Sequence, residues 1–166
     1  MTHEVVRIVA VDLKSEAISA AWLDLLDHYA HDPMGGGTGL SGYAKANLVG
    51  ALAALPTFHG ALALLGETPV GLINCFSGFS TFAARPLLNI HDIVTRYGYR
   101  GRGIGQALLG WAEQRARELG CCKLTLEVLA NNRRALAAYE RAGFAPYVLD
   151  PQAGQALFLQ KYLPEA

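Results

Sequence analysis

The stretch Tyr99-Arg100-Gly101-Arg102-Gly103-Ile104-Gly105-Gln106-Ala107-Leu108 sets two arginines and three alternate glycines directly before an amphipathic run. Backbone without side chains at Gly101, Gly103 and Gly105 lets a bulky anion come close. The first amide N–H groups of the helix that follows lack intrahelical acceptors and stand at the positive end of its dipole. Together these features make a cradle for a pyrophosphate. Two rival motifs fail on spacing. A dinucleotide fold requires G-x-G-x-x-G near its first strand, and Leu108 stands where the third glycine would be. A P-loop requires a lysine after its last glycine, and none follows here. The plain alternative is a glycine-rich turn before an ordinary helix.

A second stretch, Thr125-Leu126-Glu127-Val128-Leu129-Ala130-Asn131-Asn132-Arg133-Arg134-Ala135, runs on to Tyr139-Glu140-Arg141-Ala142-Gly143-Phe144. With Arg100-x-x-Gly103-x-Gly105 upstream and His91-Asp92-Ile93-Val94-Thr95 before that, the region from about Leu88 to Phe144 closely resembles the GNAT acetyltransferase superfamily. Before Leu88 the resemblance is only topological. It implies a single α+β domain over residues 1–166, a mixed and mostly antiparallel central sheet flanked by helices. The acceptor side would span about 1–86 and the acyl-CoA side about 87–166.

The resemblance also implies roles. Arg100, Gly101, Arg102, Gly103, Ile104, Gly105 and Gln106 would hold the pyrophosphate of acetyl-CoA. Backbone groups of Ile93, Val94 and Thr95 would pair with the pantetheine arm as an added strand. Asn132 would bond the pantetheine or its thioester end, and Tyr139 would protonate the departing thiolate. Two departures stand out: Thr95 where an apolar residue is usual, and Tyr97 where a proline is common. Neither touches the backbone contacts.

These roles agree with elementary chemistry. An amine must be neutral to attack a thioester, and its ammonium form has a pKa of about 10, so deprotonation near neutrality costs roughly 4 kcal/mol. A base or a water chain relieves that cost, and a strand N–H can polarise the carbonyl. In polyamine acetyltransferases of this superfamily a glutamate precedes the strand aspartate; His91 stands there in this chain, followed by Asp92. Histidine titrates near neutral pH and suits a base. Strand alternation places His91 and Asp92 on opposite faces, so that only one meets the acceptor. His91 is the first choice of base and Glu127 the second, with a satisfied core histidine an equal alternative for His91. Without the resemblance, Tyr139 reads as a helix residue packed on the sheet.

The elements that must position these residues follow from periodicity. Val5–Val11 reads as a strand, and Ser15–Tyr29 as a helix capped by Ser15, with Ile18, Trp22, Leu25 and Leu26 on one face. Pro33 and the glycines at 35, 36, 37 and 39 break regular structure, and flexibility there would suit a lid at the acceptor site. Tyr43–Leu55 reads as a helix, Phe58–Leu65 and Val70–Phe76 as a hairpin, and Leu87–Thr95 as a further strand. Ile104–Leu119 is an amphipathic helix ended by Gly120. Lys123–Val128 reads as a strand, Asn132–Ala142 as a helix, and Ala156–Tyr162 as a last strand.

Composition bounds the rest. The 166 residues are 52% hydrophobic and 17% charged, which describes a packed globular chain. Lys and Arg number 14, as do Asp and Glu, so no overall charge favours nucleic acid or an anionic membrane. Cys75, Cys121 and Cys122 form neither a disulfide framework nor a CxxC pair. With no leader-like segment or long apolar run, the expected location is the cytoplasm. His28 and His31 lie near Asp27 and Asp32, but no further ligand set is evident and no metal is expected. Trp22 and Trp111 read as core; Arg133 and Arg134 face either CoA or solvent. Asp24, Asp27, Asp32 and Glu67 could attract a cationic amine. The expected partners are acetyl-CoA and a small amine, in a homodimer as is common in the superfamily. A silent acyl-CoA sensor, a longer acyl chain, a hydroxyl acceptor and a protein N-terminus remain open alternatives.

Overall fold

A computed structural model describes residues 4–165. In chain order the elements are β1 (Val6–Ala10), α1 (Glu16–His31), a 3-10 turn (Pro33–Gly35), α2 (Gly42–Ala53), β2 (Phe58–Leu65), β3 (Thr68–Ser80), β4 (Arg85–Thr95), α3 (Ile104–Glu118), β5 (Leu124–Leu126) and α4 (Arg133–Arg141). One five-stranded sheet runs β1-β2-β3-β4-β5. The first three pairings are antiparallel and β4–β5 is parallel. The architecture is α+β, as the sequence indicates.

Each face of the sheet carries its own core. On one side Trp22, Leu25 and Leu26 of α1 pack over Leu62, Leu72 and Val94. Trp22 is fully buried and meets Phe58 edge-on, with ring centroids 6.1 Å apart. Ser15 caps α1 as the sequence suggests, its Oγ accepting from Ile18 N. On the other side Ile104, Leu108, Leu109, Ala112 and Ala116 of α3 cover Ala61, Ala63, Ile73, Leu88 and Ile90. Gly71 lets α3 come this close. A Cβ there would stand 2.7 Å from the Val94 carbonyl oxygen and 3.0 Å from an Ile104 methyl.

Strand alternation fails at one place that matters. Across β3 and β4, Asn74 pairs with Asp92 but Cys75 pairs with Ile90, which leaves His91 as an extra residue in a β-bulge. Asp92 reaches Asn74 on the α1 side, while His91 meets Phe76 edge-on at 5.4 Å. Phe76 in turn packs on Phe58, over which Trp22 lies. His91 and Asp92 therefore both serve the α1 side, contrary to the expected opposition.

Element bounds shift by a few residues elsewhere, and the larger differences fall late in the chain. The strand expected over Lys123–Val128 keeps only three residues, Leu124–Leu126. Asn132 is the cap of α4 rather than its first residue. The last strand expected over Ala156–Tyr162 does not form; Leu157, Phe158 and Leu159 are 82%, 72% and 82% exposed. Those three consecutive apolar side chains point to alternate faces of any strand, and the short β5 edge gives little ladder to hold one.

The Gly71 contact yields a direct prediction. Gly71→Ala should lower stability by about 1–3 kcal/mol, because backbone must shift to admit the methyl group. Gly110→Ala in the interior of α3, where a Cβ would meet nothing within 4 Å, should instead raise it by roughly 0.5–1 kcal/mol. Urea denaturation of the two variants measures both.

Candidate active site

The bulge at His91 opens the sheet. Parallel pairing runs Leu88–Leu124, Asn89–Thr125 and Ile90–Leu126, and stops there. Beyond it β4 stays paired to β3 through Thr95, while its other edge has no strand beside it. The outward backbone groups of Ile93–Thr95 are thus available to a ligand lying along the strand. The gap continues into a cavity of about 320 Å³ between β4, β5, α3 and α4, closed on the acceptor side by the end of α1.

At one end of the cavity the chain turns through Gly101 (φ +78°) and Gly103 (φ +79°) into α3. Their left-handed backbone requires glycine whether or not a ligand binds. Gly105 differs: its φ is not positive and a Cβ there would meet no protein atom within 4 Å. Neither strain nor packing demands glycine at this helical position, where it costs up to about 1 kcal/mol relative to alanine. The space it leaves opens on the unpaired N–H groups of the first turn, which favour an anion. Among the glycines with no strain or contact of this kind, Gly105 is the one that lines the cavity.

The residues singled out from the sequence converge here, with one exception. Ile93, Val94, Thr95, Arg100, Gly101, Gly103, Ile104, Gly105, Gln106 and Asn132 line the cavity, as do His91, Glu127 and Tyr139. The Arg102 side chain does not; it lies over the Tyr99 ring, 5.3 Å from its centroid. Gln106 donates from Nε2 to the Ala138 carbonyl at 3.0 Å, fixing α4 and the adjacent Tyr139 relative to the cradle. Asn132 Oδ1 accepts from Ala135 N at 3.3 Å, so its carbonyl is spent on capping α4 and its amide N–H groups remain for a ligand. Of the two arginines that follow, Arg134 lines the cavity and Arg133 does not.

Tyr139 is largely withdrawn from water, and burial pushes its hydroxyl up to about 12, with Tyr29 adding to the effect. It therefore keeps its proton throughout the neutral range. Tyr29 is raised too, by burial first and then by the Asp92 and Asp32 carboxylates. Cys75 packs among the apolar side chains on the α3 side, and its thiol is pushed up to about 12 by burial, which makes it inert as a nucleophile.

Charges on the acceptor side settle differently from expectation. Asp24 pairs with Arg96 at 2.7 Å, Asp27 with Lys45 at 3.2 Å, Asp32 with Arg100 at 3.2 Å and Glu67 with Arg7 at 3.3 Å. All four carboxylates proposed to attract an amine are thus already neutralised by the protein. The loop of glycines is also tied down. Asp32 accepts from Met34 N and Asp27 from Leu40 N, both holding these carboxyls below the usual range. Gly39 N donates to Ala30 O. In this arrangement the turn presents Met34 to the cavity.

His28 and His31 are occupied locally: His28 Nε2 accepts from Tyr97 N at 3.4 Å, and His31 Nδ1 donates to the Asp27 carbonyl at 2.7 Å. Among the described residues no group of three or more His, Cys, Asp or Glu is placed to hold a metal. Sequence reasoning missed Tyr29 and Asn74. Asn74 carried a readable signal, a lone amide within the apolar run Val70–Phe76, because a buried amide must find partners.

Comparison with known proteins bears on family and fold. The Acetyltransferase (GNAT) family model matches residues 22–144. Streptothricin acetyltransferase of Streptomyces lavendulae is 44% identical over 75 residues, 45% of this chain and 40% of that protein. Aminoalkylphosphonate N-acetyltransferase of Salmonella typhimurium is 34% identical over 89 residues, 54% of this chain and 58% of that one. These matches thus span about half the length of the curated relatives. In fold, AAC(6')-Iy in complex with the bisubstrate analog CoA-S-monomethyl-acetylneamine superposes with a TM-score of 0.76 at 12% identity, covering 96% of this chain and 99% of that one. The family match runs from α1 through the cradle to the end of α4, and the chain belongs to the GNAT acetyltransferase family.

Proposed function

We propose that this chain is an N-acetyltransferase that moves the acetyl group of acetyl-CoA to the amine of a small molecule, by direct attack with both substrates bound. The observation that carries this reading is the meeting, at one cavity, of the unpaired β4 edge with the first turn of α3, where Gly105 leaves the N–H groups uncovered. The cradle and the open edge of β4 fit the charged pyrophosphate and the extended arm of CoA. Acetyl-CoA, when bound, supplies a thioester already activated toward amines.

The chain's own residues do the rest. Arg100 and the first-turn N–H groups of α3 hold phosphate, with Arg100 exchanging its partner Asp32 for the ligand. Backbone groups of Ile93–Thr95 orient the arm, and an N–H on this edge polarises the carbonyl. His91 takes the ammonium proton, directly or through water, with Glu127 across the cavity as the second choice. Tyr139 donates a hydrogen bond to sulfur as the C–S bond breaks. A phenol near 12 lies about three units above a typical thiol, so its contribution is that hydrogen bond more than complete transfer of the proton. No cysteine is placed to form an acyl intermediate.

We read residues 1–166 as one such domain, its acceptor side before about residue 87 and its acyl-CoA side after it, working in the cytoplasm as a homodimer. Support for self-association is the apolar surface of the tail, where Leu157, Phe158, Leu159, Tyr162 and Leu163 are all exposed. Sedimentation of the intact chain tests the dimer.

The function is tested by thiol release from acetyl-CoA against polyamines, amino acids, aminoglycosides and short peptides. Release stimulated by one amine class is expected. Tight acetyl-CoA binding without release across the panel would instead make the chain a sensor. Two variants probe the site. Gly105→Val should weaken acetyl-CoA binding at least 10-fold by calorimetry while leaving thermal stability nearly unchanged, since a side chain there meets only the ligand's space. Tyr139→Phe should lower kcat about 100-fold with acetyl-CoA affinity retained. In the wild type, ionisation of Tyr139 should cause no loss of rate below about pH 11, given its position near 12.

A further inference from the structure

Beside the cavity the sheet contains a buried polar chain that the reaction above does not use. Trp22 Nε1–H donates to Asn74 Oδ1 at 2.8 Å, and Asn74 Nδ2 donates to Asp92 Oδ2 at 3.0 Å. Trp22 is 0% and Asn74 2% exposed, in the middle of an otherwise apolar core. An indole N–H can only donate. It therefore fixes which end of the Asn74 amide faces it, and so fixes the NH2 toward Asp92. The amide cannot turn over without leaving two buried donors face to face. Two side chains with no access to ligand thus hold one carboxylate in a single orientation.

That carboxylate differs from its neighbours. Asp24, Asp27 and Asp32 each have a cationic partner, whereas among the described residues Asp92 has none. Among the described residues the only hydrogen bond to its carboxylate is the one from Asn74, to Oδ2. Asp92 is not exposed, yet no buried side-chain oxygen among the described residues lacks a partner. Oδ1 must therefore be open to solvent. Asp92 stands in the chain between His91 and Ile93, which both line the cavity, and its charge reaches the hydroxyl of Tyr29, another lining residue, and raises it.

We propose that Asp92 holds a cationic nitrogen of the acceptor and that Asn74, anchored by Trp22, is the positioning residue that aims it. This rests on the acetyltransferase reading. An ammonium against a carboxylate is held in its charged form, and a charged nitrogen does not attack a thioester. The group at Asp92 is accordingly a second cation and not the reacting amine. The acceptor class that follows is a molecule with at least two amino groups, one acetylated and one retained as ammonium.

The test uses matched ligands that differ in one amino group: α,ω-diamines of three to six carbons against the n-alkylamines of the same length. Each is titrated by calorimetry into the intact chain saturated with CoA, which binds without turnover, and each is assayed for thiol release from acetyl-CoA. The wild type should bind at least one diamine 10-fold or more tighter than its monoamine. Asp92→Asn should bring that ratio to within about 3-fold. Asn74→Leu and Trp22→Phe should reduce it by raising the KM for diamine more than they lower kcat, with the Kd for CoA unchanged in all three variants. A CoA affinity that falls together with diamine affinity would indicate a damaged fold and overturn the positioning role. A wild type that prefers no diamine, or an Asp92→Asn variant that keeps the preference, overturns the inference. Thiol release without diamine preference would leave the acetyltransferase reading standing and remove this one. Diamine selectivity lost in Asp92→Asn, with no release from any amine, would do the reverse.

Discussion

The parting of β4 from β5 is the constraint on which the site depends. One extra residue at His91 shifts the β3–β4 register, and β4 keeps its β5 partner only as far as Ile90. A backbone edge left unpaired inside a fold is costly unless water or a ligand satisfies it. The gap is held open because both strands are anchored elsewhere. β4 is tied to β3 along its length, and α3 is seated on the sheet through the close approach at Gly71. β5 leads into α4, which Gln106 pins to the first turn of α3. The cavity is therefore built by rigid elements, and the cradle at its mouth is part of the same helix that forms one core.

The same bulge organises the charges. By bringing His91 and Asp92 to the α1 side, it sets a basic and an acidic group next to one another at the inner end of the gap. Around them the protein neutralises its own surface. Arg96 and Arg100 reach back to Asp24 and Asp32 on and just after α1, which draws the acceptor-side helix against the strand end and the cradle. These pairs are partly exposed, so each adds little stability; their effect is to fix relative placement. Arg100 and Asp32 both border the cavity, whereas Arg96 and Asp24 do not, so the pair ties the turn after α1 to the approach to α3.

Much of this was legible in the residues. Alternate glycines before Ile104, with an amphipathic period after it, specify the cradle and α3 without reference to anything distant. Phe58–Leu65 has the strand bounds expected of it, and Ser15 caps α1 as its type suggests. The bulge was not legible, because a one-residue shift between strands leaves no periodic mark and strict alternation is the default. The pairing of Asp24, Asp27, Asp32 and Glu67 was hidden for a related reason: their partners lie 72, 18, 68 and 60 residues away and meet only once the chain folds. The tail shows the opposite limit. Ala156–Tyr162 has strand-forming residues, yet it lacks the alternation that would let one face pack while the other meets water. Asn74 could have been found by asking what an amide does among apolar neighbours.

The central claim is that the unpaired edge of β4 and the first turn of α3 together receive acetyl-CoA. Backbone amide hydrogen exchange, followed residue by residue with and without acetyl-CoA, tests it most directly. The account predicts that amides within Ile93–Thr95 and Gly103–Gln106 gain protection together on binding, while amides in β1 and α2 do not change. Protection elsewhere, or none at these two segments at saturating acetyl-CoA, would contradict it.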